Sequence, residues 1–150
     1  MTKSITNITL NRIIFVLSII GIVTAVYVLQ SFILKAPIVC VNSGCETVRK
    51  NAASYIFGIP VPAFGLIGYS LLAMLSFFRT TNLESQNPKL LNAILTIAAF
   101  GVCFVAWFTY TELFVIKAVC TWCAVSAINM VAIFILTIKS YQSTRMVKTT

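Results

Sequence analysis

Charged residues are absent from four long stretches of this chain, and that absence constrains the fold more than any other feature of the sequence. The stretches run from Ile13 to Leu34, Asn51 to Phe78, Leu90 to Thr111 and Ala118 to Ile138. A helix needs roughly 20 apolar residues to cross a bilayer, and each stretch is long enough. The chain is also 59% hydrophobic and only 9% charged, which a soluble domain could not bury. We therefore predict an all-α integral membrane protein, a four-transmembrane-helix bundle forming a single domain over residues 1–150.

The segment Gly58-Ile59-Pro60-Val61-Pro62 sets the start of the second helix, because proline is tolerated in a first helical turn. This places the four helices at about residues 13–34, 59–78, 90–111 and 118–138. The first stretch is too long for the apolar core of a signal peptide, which has about 7 to 15 residues, so we keep it as a membrane helix. Between the first two helices, Glu46 to Phe57 predicts a short amphipathic helix on the membrane surface.

Orientation follows from the Lys and Arg residues that flank the apolar stretches. Seven lie in the amino-terminal segment, the Arg79 to Lys89 loop and the carboxyl-terminal tail, against four on the other side: Lys35, Arg49, Lys50 and Lys117. The positive-inside rule then predicts a multi-pass protein of the inner or plasma membrane with both termini in the cytoplasm. The loop from Lys35 to Gly58 faces outward in this topology.

Several kinds of chemistry have no residues to use here. The chain has no histidine, and its three acidic residues, Glu46, Glu84 and Glu112, lie outside the long apolar runs. Because Glu112 is placed at a helix edge, we expect no proton-coupled exporter. The basic residues are scattered singly, which argues against nucleic-acid binding and fits contact with membrane lipid.

Cysteine is the reactive side chain that remains, and four of the five cysteines form two close pairs on the outward side. Cys120-Thr121-Trp122-Cys123 starts a helix, so its two sulfurs are about one turn apart and can close a disulfide. The helix dipole and Lys117 favour ionisation, and we expect Cys120 to be the exposed nucleophile. Cys123 lies further toward the bilayer, where it could face a quinone.

The loop pair, Cys40 and Cys45, encloses Asn, Ser and Gly, so it suits a shuttle that meets an outside protein and then returns. Two alternatives remain: both pairs are static disulfides in an inert four-helix scaffold, or four thiolates hold a zinc ion. Cys103 is expected to pack as a small hydrophobe without a redox role. We expect interfacial aromatic residues, or less favourably one pocket-lining residue, among Trp107, Phe108 and Tyr110.

A longer pattern resembles the vitamin K epoxide reductase (VKOR) family, in its bacterial single-domain form. It comprises Cys40, Cys45, the run Phe57-Gly58-Ile59-Pro60-Val61-Pro62-Ala63-Phe64-Gly65 and Cys120-Thr121-Trp122-Cys123, within roughly residues 12–138. The helix plan is also similar to that of DsbB, a functional analogue. The resemblance implies a quinone of menaquinone, ubiquinone or vitamin K type, bound beside Cys123. It also implies electron flow from a thioredoxin-like, DsbA-like partner through Cys40 and Cys45 to Cys120 and Cys123.

The resemblance further implies two residues around the quinone. The family usually has a serine six residues after the second loop cysteine, where this chain has Asn51, with Ser54 three residues further on. Asn51 could donate a hydrogen bond to a quinone carbonyl, or could merely cap a helix. Phe64 matches an aromatic residue of the quinone pocket, or simply packs. Many relatives carry a fused thioredoxin-like domain; here we expect none, so that the thiol partner is a separate protein.

Overall fold

The computed structural model describes residues 2–41, 44–81 and 88–148, and its long elements are four helices. These are α1 (Thr2–Leu34), α3 (Val61–Thr81), α4 (Pro88–Tyr110) and α5 (Thr121–Lys148), with a short helix α2 (Gly44–Lys50) between α1 and α3. Each long helix contributes a segment apolar enough to cross a membrane: Ile8–Leu34, Val61–Thr81, Lys89–Ile116 and Thr121–Thr144. The predicted four-helix membrane bundle is therefore confirmed.

The helices pack in the circular order α1, α3, α4, α5, because α1 and α4 each contact both α3 and α5. At one end of the bundle α1 ends, α3 begins, α4 ends and α5 begins, and α2 lies against that end. We call it the cysteine end, because Cys40, Cys45, Cys120 and Cys123 lie there. We call the other end, where α1 begins and α3 ends, the opposite end.

Two apolar clusters fill the bundle. The larger one lies between the long helices and contains Ile14, Tyr69, Leu72, Ile94 and Ile133, each at most 1% exposed. The second cluster lies at the cysteine end. Side-chain hydrogen bonds to neighbouring backbones add to this packing, because unpaired polar groups are costly in a membrane.

The loop between α1 and α3 differs from its prediction. The predicted surface helix over Glu46 to Phe57 is present as α2, but it ends at Lys50 and is followed by a 3₁₀ turn (Ala52–Ser54). A two-stranded hairpin then pairs β1 (Tyr55–Ile56) with β2 (Ile59–Pro60).

The hairpin also corrects the predicted start of the second helix. The two residues of its turn, Phe57 and Gly58, have positive φ angles of 52° and 81°. Two such residues make the tight turn that suits a hairpin, and glycine adopts this conformation without strain. Ile59 and Pro60 are thus strand residues, and α3 begins only at Val61.

Several other helix boundaries differ from their predicted positions, and most of them lengthen the helix. The fourth helix starts later than predicted, at Thr121 instead of Ala118. The first helix already begins at Thr2, and the last continues to Lys148 instead of ending at Ile138. The third is prolonged as well, because a π-helical segment (Thr111–Ile116) follows α4 directly. That segment ends at Lys117, which adopts the left-handed conformation with φ 56°, and the Ala118 N–H donates to the Glu112 carbonyl over 3.1 Å.

Candidate active site

All four cysteines of the two predicted pairs meet in one apolar cluster at the cysteine end. Cys45 and Cys120 are 3% and 2% exposed and belong to the cluster core, and Cys40 and Cys123 pack against it, partly buried. The loop pair is thus held against the CxxC rather than standing away from it. Transfer of a disulfide between the two pairs requires this proximity.

The two pairs are in different covalent states. Cys40 and Cys45 are joined by a disulfide, with their Cα atoms 6.4 Å apart, whereas Cys120 and Cys123 are free thiols. A zinc site made of four thiolates does not fit this arrangement, because the disulfide leaves only one of the two pairs as thiols. Two static disulfides would require a bond between Cys120 and Cys123, and in this structure both are free thiols.

A close backbone contact sets the distance between the loop pair and the CxxC. A Cβ atom added to Gly44 would lie 2.3 Å from the Val119 carbonyl oxygen. Only glycine therefore allows the first turn of α2 to approach the residue before Cys120. Gly44 precedes Cys45, so this contact brings the two neighbouring cysteines together, which the sequence analysis did not anticipate.

Trp122, inside the CxxC, holds the segment that leads to Cys40. Its indole Nε1 donates a hydrogen bond of 2.8 Å to the Val39 carbonyl oxygen. The Val39 N–H in turn donates to the Tyr27 hydroxyl over 3.4 Å, and the rings of Tyr27 and Trp122 pack with centroids 5.0 Å apart. The loop pair is thus positioned on both sides, through Val39 and through Gly44.

Cys120 is the N-cap residue of α5, since the Ala124 N–H donates to the Cys120 carbonyl over 3.0 Å. This confirms a CxxC at a helix start. The expected exposure of Cys120 is wrong, because α2 covers it and leaves it 2% exposed, while Cys123 is partly exposed. A hydrogen bond with the Cys123 thiol is the main factor that lowers the pKa of Cys120.

Glu112 is the site residue that the sequence analysis missed. The π-helical segment turns its side chain into the protein, where it is 2% exposed. A carboxylate oxygen of Glu112 and the sulfurs of Cys120 and Cys123 all lie within 4.8 Å of one another. The Cys123 thiol and the Cys120 backbone N–H interact with the carboxyl group, while its Oε1 has no hydrogen-bond partner.

A cavity of about 610 Å³ lies between the helices beside the cysteines. Cys45, Cys120 and Cys123 contribute to its wall, which is otherwise almost entirely apolar. Ligand pockets have volumes of about 300–1,000 Å³ and combine apolar walls with a few polar groups. The volume and the apolar wall of the cavity therefore suit an apolar ring compound such as a quinone. Cys120 and Cys123 form part of that wall.

The two residues expected around a quinone differ in their placement. Phe64 lies on the cavity wall, and its ring packs against that of Phe104 with centroids 6.1 Å apart. Asn51 is not among the wall residues; its Oδ1 accepts a hydrogen bond of 2.9 Å from the Ala53 N–H and caps the 3₁₀ turn. Ser54 is fully buried and donates to the Val48 carbonyl.

The remaining sequence candidates divide between the outer surface and the cavity. Cys103 is exposed on the surface of α4 rather than packed in the core, and it belongs neither to the apolar cluster at the cysteine end nor to the cavity wall. Trp107 and Tyr110 are 50% and 59% exposed, as interfacial residues should be. Phe108 is instead only 6% exposed and lines the cavity.

Comparison with known proteins identifies the family of this chain. No curated protein matches the chain closely. The sequence model described as "Vitamin K epoxide reductase family" matches residues 12–138, which include all four cysteines of the site and all four membrane segments except the outermost residues of the first and last. The chain is therefore a member of the vitamin K epoxide reductase family of membrane oxidoreductases.

Proposed function

We propose that this protein generates disulfides in other proteins and passes the electrons to a quinone. A dithiol partner protein reduces the Cys40–Cys45 disulfide and leaves with a disulfide of its own. The loop dithiol then reduces a Cys120–Cys123 disulfide, and the resulting CxxC dithiol is the donor to the quinone. A quinone bound in the cavity would accept the electron pair and two protons.

The observation that carries this proposal is the meeting of an oxidised pair, a reduced pair and an apolar cavity at one point. Cys45 and Cys120 are buried in the same cluster, and both line the cavity together with Cys123. An inert scaffold stabilised by two disulfides would need neither the free thiols of the CxxC nor a cavity beside them.

The accessibility of the loop pair supports different tasks for its two sulfurs. Cys40 is partly exposed and is flanked by Val39 and Val41, which are 77% and 91% exposed, whereas Cys45 is buried near Cys120. We therefore assign the exchange with the outside partner to Cys40 and the exchange with the CxxC to Cys45. The partner is a separate thioredoxin-like, DsbA-like protein, whose exposed CxxC-type dithiol could reach Cys40.

The acceptor is a respiratory quinone of the menaquinone, ubiquinone or vitamin K type. Phe64 and Phe104 offer aromatic surface to its ring on the cavity wall. Asn51 could donate a hydrogen bond to a quinone carbonyl only after a movement of the segment that follows α2, because it does not line the cavity.

The site faces the extracytoplasmic side of the plasma or inner membrane in this proposal, with both termini in the cytoplasm. The excess of Lys and Arg at the opposite end supports this orientation. The Cys40–Cys45 disulfide supports it independently, because disulfides persist outside the reducing cytoplasm.

The test is anaerobic mixing of the purified protein with a reduced thioredoxin-like protein and a quinone. We expect the partner to be oxidised and the quinone to be reduced in equal amounts; failure to oxidise the partner would refute the enzyme assignment. The reduction potentials of the two pairs give a second test, since inert bridges lie below about −300 mV.

The variant Cys123→Ser separates a relay from a scaffold. A relay loses quinone reduction almost completely, because the CxxC can no longer form its disulfide, while the fold persists. A scaffold would lose stability but has no electron transfer to lose. Cys103→Ser is the matched control. Cys103 is exposed on the surface of α4 and does not line the cavity, so this substitution should leave quinone reduction unchanged.

A further inference from the structure

We propose that Glu112 is the proton-transfer residue of the Cys120–Cys123 pair. Its carboxyl group gives a proton to the Cys123 sulfur when the pair is reduced and takes that proton back when the pair is oxidised. The inference rests on the proposed function and adds to it a group that moves protons inside the protein.

Geometry is the first argument for this role. A carboxylate oxygen of Glu112 lies within 4.8 Å of both sulfurs, and the Cys123 thiol interacts with it directly. The carboxyl group is 2% exposed, and its Oε1 is buried without a hydrogen-bond partner. An unpaired buried oxygen is costly in a structural carboxyl group, but a proton carrier needs a free position for its proton.

The absence of a cationic partner is the second argument. Within the described ranges 2–41, 44–81 and 88–148, the ion pairs join Arg49 and Lys50 to Glu46, and none reaches Glu112. Arg49 lines the same cavity but is bound to Glu46, and Lys117 at the end of the π-helical segment is exposed. The titratable groups that face Glu112 are therefore Cys120 and Cys123.

A buried site needs such a group when the CxxC is reduced. The Cys45 thiolate attacks the Cys120 sulfur of the Cys120–Cys123 disulfide, a Cys45–Cys120 bond forms, and Cys123 leaves as a thiolate. A thiolate beside lipid is unfavourable, and Glu112 in its acid form supplies the proton that neutralises it. The Cys40 thiolate then attacks Cys45, which restores the loop disulfide and releases Cys120.

The reverse proton movement occurs when the CxxC is oxidised. The Cys123 thiol gives its proton to the Glu112 carboxylate as the Cys120–Cys123 bond forms. The electron pair goes to the quinone named in the proposed function, which takes up two protons from the medium, equal in number to the two that the loop thiols release when they form thiolates. Glu112 is then back in its acid form, and no other oxidant is required.

The first test uses the full-length protein in lipid nanodiscs after removal of quinone, so it does not depend on turnover. Infrared difference spectra between the disulfide and dithiol forms of the CxxC should show a carboxylic acid C=O band in the disulfide form that disappears on reduction. The chain has only three acidic side chains, Glu46, Glu84 and Glu112, which simplifies assignment. Hydrogen bonds from Arg49 and Lys50 lower the pKa of Glu46, so it stays ionised in both forms.

The variant Glu112→Gln keeps the size of the side chain but cannot carry a proton. It should abolish the infrared band and slow the electron transfer from loop pair to quinone by on the order of 100-fold, the contribution of a positioned acid–base group. Glu112→Asp should restore the band and part of the rate. Thr111→Val, a buried neighbour in the same π-helical segment, is the matched control and should change neither.

The outcomes separate this inference from the proposed function. If the wild-type protein transfers no electrons from thiols to quinone, the proposed function is wrong. If the wild-type protein is active but Glu112→Gln transfers electrons equally fast, the assignment of Glu112 is wrong. A carboxylic acid band that stays the same in both redox forms of the wild-type protein overturns it as well, whether or not the variant folds.

Discussion

The two ends of the bundle place their buried polar residues beside different neighbours. Buried atoms without a hydrogen-bond partner occur at both ends, because Asn11 Oδ1 and Ser76 Oγ at the opposite end lack one, as Glu112 Oε1 does at the cysteine end. At the opposite end, the Asn11 Nδ2 donates to the Ser76 carbonyl over 2.8 Å and to the Thr80 hydroxyl, and Arg79 donates to Ser140 over 3.2 Å. These bonds join α1 to α3 and α3 to α5. At the cysteine end, Glu112 has an unpaired carboxylate oxygen beside two free thiols and a cavity.

This difference separates residues that stabilise the fold from residues that serve electron transfer. Helix-to-helix hydrogen bonds are each worth about 0.6 kcal/mol in a membrane, so the opposite end holds the helices together by many small terms. The cysteine end instead has a cavity beside two free thiols, and a cavity reduces stability. Substitutions at the cysteine end should therefore change electron transfer, and those at the opposite end should change stability alone.

Gly44→Ala is expected to give the largest effect in this comparison. The added methyl group would meet the Val119 carbonyl oxygen, so α2 must move away and take Cys45 with it. A displacement of about 1 Å at a reacting centre can cost on the order of 100-fold in rate, and we expect a loss of that size in exchange between the loop pair and the CxxC. Stopped-flow measurement of that exchange checks the prediction.

Two controls make the Gly44→Ala result specific. Reduction of quinone by a small dithiol that reaches the CxxC directly should persist, because Cys120, Cys123 and the cavity remain intact. Thr47→Ala changes an exposed residue of the same helix and should leave the exchange unchanged. An unaltered exchange rate in Gly44→Ala would show that the contact with Val119 does not position Cys45.

The sequence predicted the parts of this site that depend on local patterns. An apolar run of sufficient length indicates a membrane helix whatever surrounds it, and four such runs were found correctly. The CxxC at the start of α5 was readable because its spacing is local. The hairpin from Tyr55 to Pro60 was missed because glycine followed by Pro60 and Pro62 is equally typical of a helix start.

The roles of Glu112 and Gly44 depend on contacts between distant segments. Glu112 directly follows an apolar run, and only the π-helical continuation of α4 turns it inward rather than toward solvent. The burial of Cys120 requires α2 to pack on it, which no spacing within the CxxC reveals. The close approach of Gly44 to Val119 likewise joins parts of the chain that are far apart in sequence.

Trp122→Phe should have a smaller effect at the cysteine end. The substitution keeps an aromatic ring against Tyr27 but removes the hydrogen bond from Nε1 to the Val39 carbonyl. A hydrogen bond contributes about 1 kcal/mol, so we expect the exchange between the two cysteine pairs to slow by about fivefold. Alkylation of Cys40 after mild reduction should accelerate too, because its segment is less firmly held.

Val125→Ala is a suitable control for Trp122→Phe, since Val125 is 42% exposed on α5 and contributes nothing to the cavity wall. If Trp122→Phe exchanged disulfides as fast as the wild-type protein, the contact with Val39 would be a packing feature without influence on the loop pair. The positioning of that pair would then depend on Gly44 alone.

Asn11→Ala, at the opposite end, is expected to leave electron transfer unchanged and to reduce stability slightly. The variant removes two hydrogen bonds to α3, to the Ser76 carbonyl and the Thr80 hydroxyl. At about 0.6 kcal/mol for each bond in a membrane, the free energy of unfolding should fall by about 1 kcal/mol, which a denaturant titration in mixed micelles can resolve. A loss of quinone reduction in a stably folded Asn11→Ala protein would contradict the division between the two ends, because this residue touches neither the cysteines nor the cavity.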